Sequence, residues 1–165
     1  MEFEAFWLAT GEQPFEGIVA GSAECYRLSV RASRAANHRV IRMQRPEAGI
    51  TADAELVAHF FQFGQGSAAL ARTCRITLEP RHWAALGALL DVSTFWDLPE
   101  QISRGGLDGA TYTLEAFQGG RRHRVERWSP DPVASGGELV CVVTDYLDRL
   151  GVLAAYRCDL YQRYG

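Results

Sequence analysis

Apolar side chains recur with two different periods in the second half of the chain, and each period predicts a different element. Residues 72–79 alternate between apolar and polar side chains, which is typical of a half-buried strand. Its apolar face consists of Cys74, Ile76 and Leu78. From Pro80 the spacing lengthens, which predicts a helix with one buried stripe. That stripe holds Trp83, Leu86 and Leu90.

A glycine-containing connection between two further alternating runs predicts a β-hairpin. The runs cover residues 111–117 and 121–128, with a short loop at residues 118–120. The two prolines of residues 129–132 cannot continue a strand ladder, so the hairpin is expected to end there. Before the hairpin, the glycines of residues 100–109 predict a loop.

The strongest helix signal lies in the last third of the sequence. Ser135 and Glu138 have the spacing of a capping box, in which each side chain bonds the backbone N–H of the other residue. Six apolar residues then follow with helical spacing: Leu139, Val142, Val143, Tyr146, Leu147 and Leu150. Gly151 is expected to end this helix.

The first 70 residues contain short apolar runs between turn signals, which we interpret as strands. These runs are Phe3–Leu8, Phe15–Val19, Tyr26–Val30 and Arg39–Met43. Residues 52–63 fit a helix or a strand, because their period does not decide between the two. The order of elements predicts a single α+β domain over residues 1–165, with a mostly antiparallel sheet and about two packed helices. Its parts are a strand-rich region, about residues 1–70, and a strand–helix–hairpin–helix core, about residues 72–151.

Composition narrows the class of protein. The chain has 165 residues, of which 47% are apolar and 22% charged, and this suits a globular domain with its own core. Its 17 basic and 20 acidic residues give a net charge of −3, whereas a general nucleic-acid binder carries a basic excess. All the basic residues are arginine, which a GC-rich bacterial genome explains best. We therefore expect a bacterial protein without general affinity for nucleic acid.

Three features indicate the compartment. No apolar stretch approaches the roughly 20 residues that a membrane-spanning helix needs. Glu2 and Glu4 stand where a signal peptide would carry positive charge. The cysteines are scattered without a C-x-x-C pair: Cys25, Cys74, Cys141 and Cys158. We expect a cytoplasmic protein with reduced thiols and no membrane partner.

Motifs for catalysis and ligand binding give little support to an enzyme. Residues 64–69 fit the loose pattern G-x-G-x-x-A, but a predicted strand follows within a few residues, so we interpret them as a turn. The histidines have no metal-ligand spacing: His38, His59, His82 and His123. There is no G-x-S-x-G elbow for a nucleophilic serine. The sequence therefore predicts no cofactor, no metal and no catalytic residue.

Residues 121–128 concentrate positive charge in an otherwise acidic chain, and we call them the basic ridge. Strand alternation separates the ridge into two faces. One face holds Arg122, Arg124, Glu126 and Trp128, and the other holds Arg121, His123, Val125 and Arg127. Neither face is apolar throughout, which predicts an edge strand or a sheet face open to solvent.

The ridge has two interpretations. Its charges can protect an edge strand from pairing with another chain, partly balanced by Glu115 and Glu126. Alternatively, they form a surface for a partner, because arginine and tryptophan are enriched at binding hot spots. Under the second interpretation the predicted contact residues are Asp108, Arg121, Arg122, His123, Arg124, Arg127 and Trp128.

The hairpin region also spells a longer pattern. Residues 107–115 read L-D-G-x-x-Y-x-L-E, and residues 120–130 read G-x-x-H-x-x-x-R-W-S-P. With F-W-x-L-P at residues 95–99, this resembles an uncharacterised family of small bacterial proteins over residues 72–151. Tyr112 and Arg122 depart from the pattern, which has tryptophan more often at the first position and an aromatic residue at the second. The resemblance implies a bacterial origin and a hairpin-plus-helix core, and it supplies no activity.

These observations lead to one main hypothesis and two alternatives. The main hypothesis is a non-enzymatic cytosolic binding protein, an immunity protein that neutralises a toxin encoded by an adjacent gene. The first alternative is an enzyme or binding protein for a small anionic molecule, with His123 and ridge arginines in a pocket. The second is nucleic-acid binding, which the acidic net charge disfavours.

Overall fold

Six strands and three α-helices form the described part of the computed structural model. The structure describes residues 11–32, 38–47, 53–64, 67–101, 109–129 and 137–164. The strands are β1 (Ser22–Ala32), β2 (Arg39–Pro46), β3 (Glu55–Gly64), β4 (Ser67–Thr77), β5 (Ala110–Gln118) and β6 (Arg121–Trp128). The helices are α1 (Phe15–Val19), α2 (Pro80–Val92) and α3 (Gly137–Tyr164), and a short 3-10 helix covers Phe95–Asp97. The predicted α+β class, with two long helices, is confirmed.

The strands form an open antiparallel sheet in the order β4-β3-β2-β1-β5-β6. The first four strands pair with their neighbours along the chain. Helix α2 follows β4 and packs on one face of the sheet, and β5 then pairs with the other side of β1. Strand β6 pairs with β5, so β6 lies at one edge and β4 at the other.

The main core lies between the sheet and helices α2 and α3, and we call this side of the sheet the helix face. The strands supply alternate residues to it, including Tyr26, Leu28, Val30, Ile41, Met43, Leu56, Ala58, Cys74, Leu114 and Ala116. The helices supply Trp83, Leu86, Leu90, Val143, Leu147, Leu150 and Ala154. The predicted inward stripes are confirmed at these helix positions except Ala154, which lies beyond the predicted end of the helix. Val142 is an exception, because it is exposed.

The strand predicted at Phe15–Val19 is wrong, because this segment is helix α1. Residues Phe15–Val19 form a single helical turn after Pro14, and the N–H of Gly17 bonds the carbonyl of Pro14. Phe15 and Ile18 are both buried, and they pack with Cys25 against the face opposite the long helices. A segment of five residues is too short for its apolar spacing to distinguish a helical turn from a strand.

The prediction that helix α3 ends at Gly151 is wrong. The helix continues through Gly151 to Tyr164, and Gly151 is buried against β2. A Cβ at this position would lie 2.6 Å from Cδ1 of Ile41. The glycine therefore allows the helix to approach the sheet closely and does not terminate it.

The undecided segment at residues 52–63 contains strand β3, from Glu55 to Gly64. Leu56, Val57 and Ala58 are buried in succession, because both faces of this strand are covered. Burial on both faces removes the alternation that would have identified the strand. Gly64, the last residue of β3, pairs with Ser67, the first residue of β4, so the glycine-containing segment joins two antiparallel strands.

The β5–β6 hairpin is confirmed with the predicted turn. Gly119 and Gly120 have φ angles of 57° and 75°. Two successive positive φ values are the requirement of the tightest hairpin turn, and glycine meets it without strain. The predictions for Phe3–Leu8, the Ser135 cap and the turn at Asp108 lie outside the described residues.

Candidate functional site

The basic ridge coincides with β6, the edge strand, as predicted. Its side chains alternate between the two faces of the sheet. Arg121, His123 and Arg127 lie on the helix face, beside the chain that follows α2. Arg122 and Arg124 lie on the opposite face. The ridge is therefore two separate groups of charges and not a single surface.

Two ridge residues on the helix face stack on the aromatic side chains that follow α2. The guanidinium of Arg121 lies 4.6 Å from the ring centre of Trp96. His123 packs edge-on against Phe95 at 5.1 Å, and its Nε2 lies 2.9 Å from the carbonyl oxygen of Leu98. Arg121 is exposed, whereas His123 is half-buried. His123 therefore connects the segment after α2 to the sheet through its contacts with Phe95 and Leu98.

Arg127 is a buried residue of β6 that contacts the segment after α2. It is 4% exposed, and burial lowers its pKa. Its guanidinium donates to the carbonyl oxygens of Pro99 at 2.9 Å and of Glu126 at 2.8 Å. The N–H of Glu126 in turn donates to the carbonyl of Glu100 at 2.6 Å. These bonds hold residues 99–101 along the outer side of β6, so Arg127 has little surface to offer a partner.

Arg122 and Arg124 have exposed atoms on the face opposite the long helices. Arg122 lies 2.6 Å from the Glu16 carboxylate and 5.3 Å from the ring centre of Phe15, both in α1. Arg124 bonds Glu126 at 2.9 Å. Of the other predicted contact residues, Trp128 is half-buried. Asp108 lies outside the described residues.

A second group of charges lies near the centre of the sheet, on the face opposite the long helices. We call it the buried charge cluster, and its members are Glu12, Arg27, Arg42, His59 and Glu115. They come from the segment before α1 and from strands β1, β2, β3 and β5. This cluster was not predicted from the sequence, because its members are far apart along the chain. The available signal was a charged residue between apolar residues in each central strand.

Arg27 is the innermost cation of the cluster. Its side chain is 4% exposed, and two of its nitrogens lie 2.8 and 2.6 Å from one oxygen of Glu115, its neighbour across β1 and β5. A third nitrogen donates to the carbonyl of Gln13 at 2.9 Å. The guanidinium also lies over Phe15, 5.1 Å from the ring centre. Arg27 thus connects the segment before α1 to the middle of the sheet.

Glu12 joins the other side of the cluster. Its carboxylate lies 3.1 Å from Nε of Arg42 and 3.1 Å from Nε2 of His59. Burial alone would raise the pKa of Glu12, but the hydrogen bond with His59 and the charge of Arg42 outweigh it, so this pKa lies below its ordinary value. An ionised carboxylate only accepts, so Nε2 of His59 carries a proton. Nδ1 of His59 lies 2.9 Å from the hydroxyl of Thr73.

The chemistry of the cluster is that of a structural ion network. Each buried cation faces a carboxylate at hydrogen-bond distance, which is the arrangement that offsets the cost of burying charge. A cavity of about 330 Å³ adjoins Glu12 and Arg42. Beside it, Arg42 donates a hydrogen bond to the side chain of Gln44, which in turn donates to the hydroxyl of Ser22. We therefore assign the cluster to stability and consider the exposed charges of β6 as the candidate site.

The described residues contain no group of three His, Cys, Asp or Glu side chains that could hold a metal ion. All four cysteines are free thiols. No helix among residues with described structure is long and apolar enough to cross a lipid bilayer. A comparison with models of protein families finds no match, and a comparison with curated proteins finds none either.

Proposed function

We propose that the protein is a non-enzymatic binding protein, an immunity protein that acts in the bacterial cytoplasm and neutralises a toxin by direct contact. The observation that carries this proposal is the position of Arg122 and Arg124. Both have exposed atoms on the edge strand, and Arg122 lies next to an aromatic ring and a carboxylate of α1. The half-buried Trp128 lies on the same face of this strand, and arginine and tryptophan are enriched at protein interfaces.

The electrostatics of this surface support capture of a partner. Arg122 and Arg124 are positive in a chain with a net charge of −3, so the edge strand differs in sign from the rest of the molecule. Complementary charge steers two proteins into the correct orientation and raises the association rate. The partner surface that fits this edge is acidic. Arg127 is buried and stabilises the edge strand, and the exposed Arg121 adds a positive charge on the helix face of the same strand.

The first experiment identifies the partner. The tagged protein is expressed in its native bacterium, and proteins that co-purify in equal amounts are compared with the products of adjacent genes. The complex of the purified pair is then measured by isothermal titration calorimetry. The proposal expects one stoichiometric protein partner whose toxicity the protein suppresses. A folded, well-expressed bait without any such partner would contradict it.

A matched pair of double variants then tests the surface. Arg122→Glu with Arg124→Glu is expected to weaken binding at least tenfold, because it reverses the charges that face the partner. Arg81→Glu with Arg149→Glu changes the net charge equally at two exposed arginines that also have carboxylate neighbours. This control is expected to retain the affinity. Equal losses in both variants would show that only net charge matters.

A charge exchange separates the internal contact of Arg122 from its contact with the partner. Arg122→Glu combined with Glu16→Arg restores an ion pair within the protein but keeps the reversed sign on β6. Binding is expected to remain weak in this variant. Full recovery of affinity would mean that Arg122 acts only by holding α1 in place.

A further inference from the structure

A groove on the helix face lies outside the surface considered above. It is a cavity of about 510 Å³ between α2 and the ends of strands β1, β2 and β5. This volume is within the range of small-molecule sites. Leu78, Pro80 and Trp83 line its apolar side, and Glu24, Arg45 and Asp91 supply its charges.

Small residues of α2 line one side of the groove and leave space in it. Ala84, Gly87 and Ala88 face it, followed one turn later by Asp91. Gly87 is not required by the fold: its φ is not positive, and a Cβ there would meet only Gln118, at an ordinary contact distance of 3.6 Å. Glycine inside a helix costs about 1 kcal/mol relative to alanine. The space that Gly87 leaves therefore carries a cost in stability that packing does not explain.

One side chain in the groove, Arg45, shows how a cation can bind there. The guanidinium of Arg45 lies 5.9 Å from the ring centre of Trp83 and 2.7 Å from the Glu24 carboxylate. A cation over an indole ring and beside a carboxylate is a favourable arrangement. Since Arg45 neutralises Glu24, the carboxylate of Asp91 remains, and it has no ion-pair partner among the described residues. The groove has one unbalanced negative charge.

Trp83, which lines the groove, and Tyr26, whose ring contacts Trp83, each carry a polar atom without a partner in the described part of the chain. The indole N–H of Trp83 and the hydroxyl of Tyr26 are buried, and neither has a hydrogen-bond partner among the described residues. Their rings are in contact, with centres 5.6 Å apart. A buried polar atom without a partner costs free energy, and a bound water or ion is one explanation for such an atom.

We propose that this groove binds a small organic cation that combines a ring-sized apolar body with one protonated amine. The body packs on the stripe formed by Ala84, Gly87 and Ala88, and the amine pairs with Asp91. The ligand charge of +1 balances the groove, and the volume suits a molecule of one or two rings. None of the described residues that line this site lies in β6, so a test of this site is independent of the proposed partner surface.

Two probe molecules of the same shape and opposite charge test this site. Tryptamine carries the protonated amine, and indole-3-acetate carries a carboxylate on the same ring system. Both are titrated into the isotope-labelled protein, and the backbone amides of α2 are followed by NMR. Tryptamine is expected to shift the amides of Ala84, Gly87 and Ala88 and to bind about fivefold tighter than indole-3-acetate. No shift at millimolar tryptamine, or equal affinities for the two probes, would overturn the proposal.

Variants locate the binding. Asp91→Asn is expected to remove most of the preference for tryptamine, whereas Asp145→Asn, at an exposed carboxylate of α3, leaves it unchanged. Ala84→Leu with Ala88→Leu fills the groove from two exposed positions and is expected to abolish binding while the protein remains folded. Gly87→Ala is expected to raise the unfolding temperature and to weaken tryptamine binding. Tryptamine binding that survives the double leucine variant would place the site elsewhere and contradict the proposal.

Discussion

The basic ridge and the buried charge cluster both contain arginines, yet they differ in the sequence spacing of their members and in their position within the sheet. Ridge residues are adjacent in the sequence and end on two faces of an edge strand. Cluster residues come from five segments and meet near the centre of the sheet. The dense run of charge in the ridge supplies the exposed Arg121 and Arg122, with Arg127 as a buried exception, whereas the single charges between apolar strand residues form a buried network.

The largest expected effect is at the cluster. Glu115→Gln removes the charge that faces Arg27 at 2.6 Å and leaves a buried cation without its closest partner. We expect a loss of about 3 kcal/mol in the free energy of unfolding. Urea denaturation followed by circular dichroism measures it. A double variant, Arg27→Met with Glu115→Leu, is expected to recover part of the loss, since it buries no charge at either position.

A smaller effect is expected at Arg127, the ridge residue that resembles a cluster member. Arg127→Met leaves the carbonyl of Pro99 without its guanidinium donor, at a cost of about 2 kcal/mol. The N–H of Glu126, which bonds Glu100, is expected to exchange its hydrogen faster. Hydrogen exchange measured by NMR distinguishes this local release from global unfolding. An unchanged exchange rate at Glu126 would show that Arg127 does not hold the segment.

Glu12 gives the cluster a dependence on pH. Because its folded pKa is lowered, its contribution to stability is fully present above the ordinary value of 4.5 and is lost as the pH falls through the lower folded value. Glu12→Gln is expected to cost about 1.5 kcal/mol at neutral pH. The difference from the wild type shrinks below pH 4.5. Glu79→Gln, at an exposed carboxylate, serves as the control. A difference that is constant with pH would contradict the ion network.

The smallest effect is expected at the exposed end of the ridge. Arg121→Gln removes the guanidinium from the face of Trp96. An exposed contact of this kind contributes about 0.5 kcal/mol, which thermal unfolding can resolve against replicate wild-type scans. A loss as large as that at Glu115 would erase the distinction between the two regions.

Much of the fold was predictable from the sequence, because it rests on local signals. The alternation before Pro80, the paired glycines Gly119 and Gly120, and the inward stripe of α2 each depend on neighbouring residues. The errors have a common cause. Gly151 takes its role from Ile41, which is 110 positions earlier in the sequence, and the helical turn at Phe15–Val19 is stabilised by packing on the sheet. No local period carries that information.

The candidate site was predictable in part for the same reason. The edge position of β6 follows from its mixed faces, and the structure confirms it. The division of roles among its arginines depends on what packs beside each one, such as the carbonyl of Pro99 at Arg127 or the carboxylate of Glu16 at Arg122. The buried charge cluster required the strand order, which places residues from four strands side by side.

We assign the central charges to stability and propose that the exposed edge charges of Arg122 and Arg124 serve binding, and one measurement compares the two assignments directly. Arg27→Gln and Arg122→Gln make the same chemical change in the two regions, and urea denaturation gives the free energy of unfolding of each variant. We expect Arg27→Gln to lose about 3 kcal/mol and Arg122→Gln less than about 1 kcal/mol. Similar losses in the two variants would contradict the separation of roles.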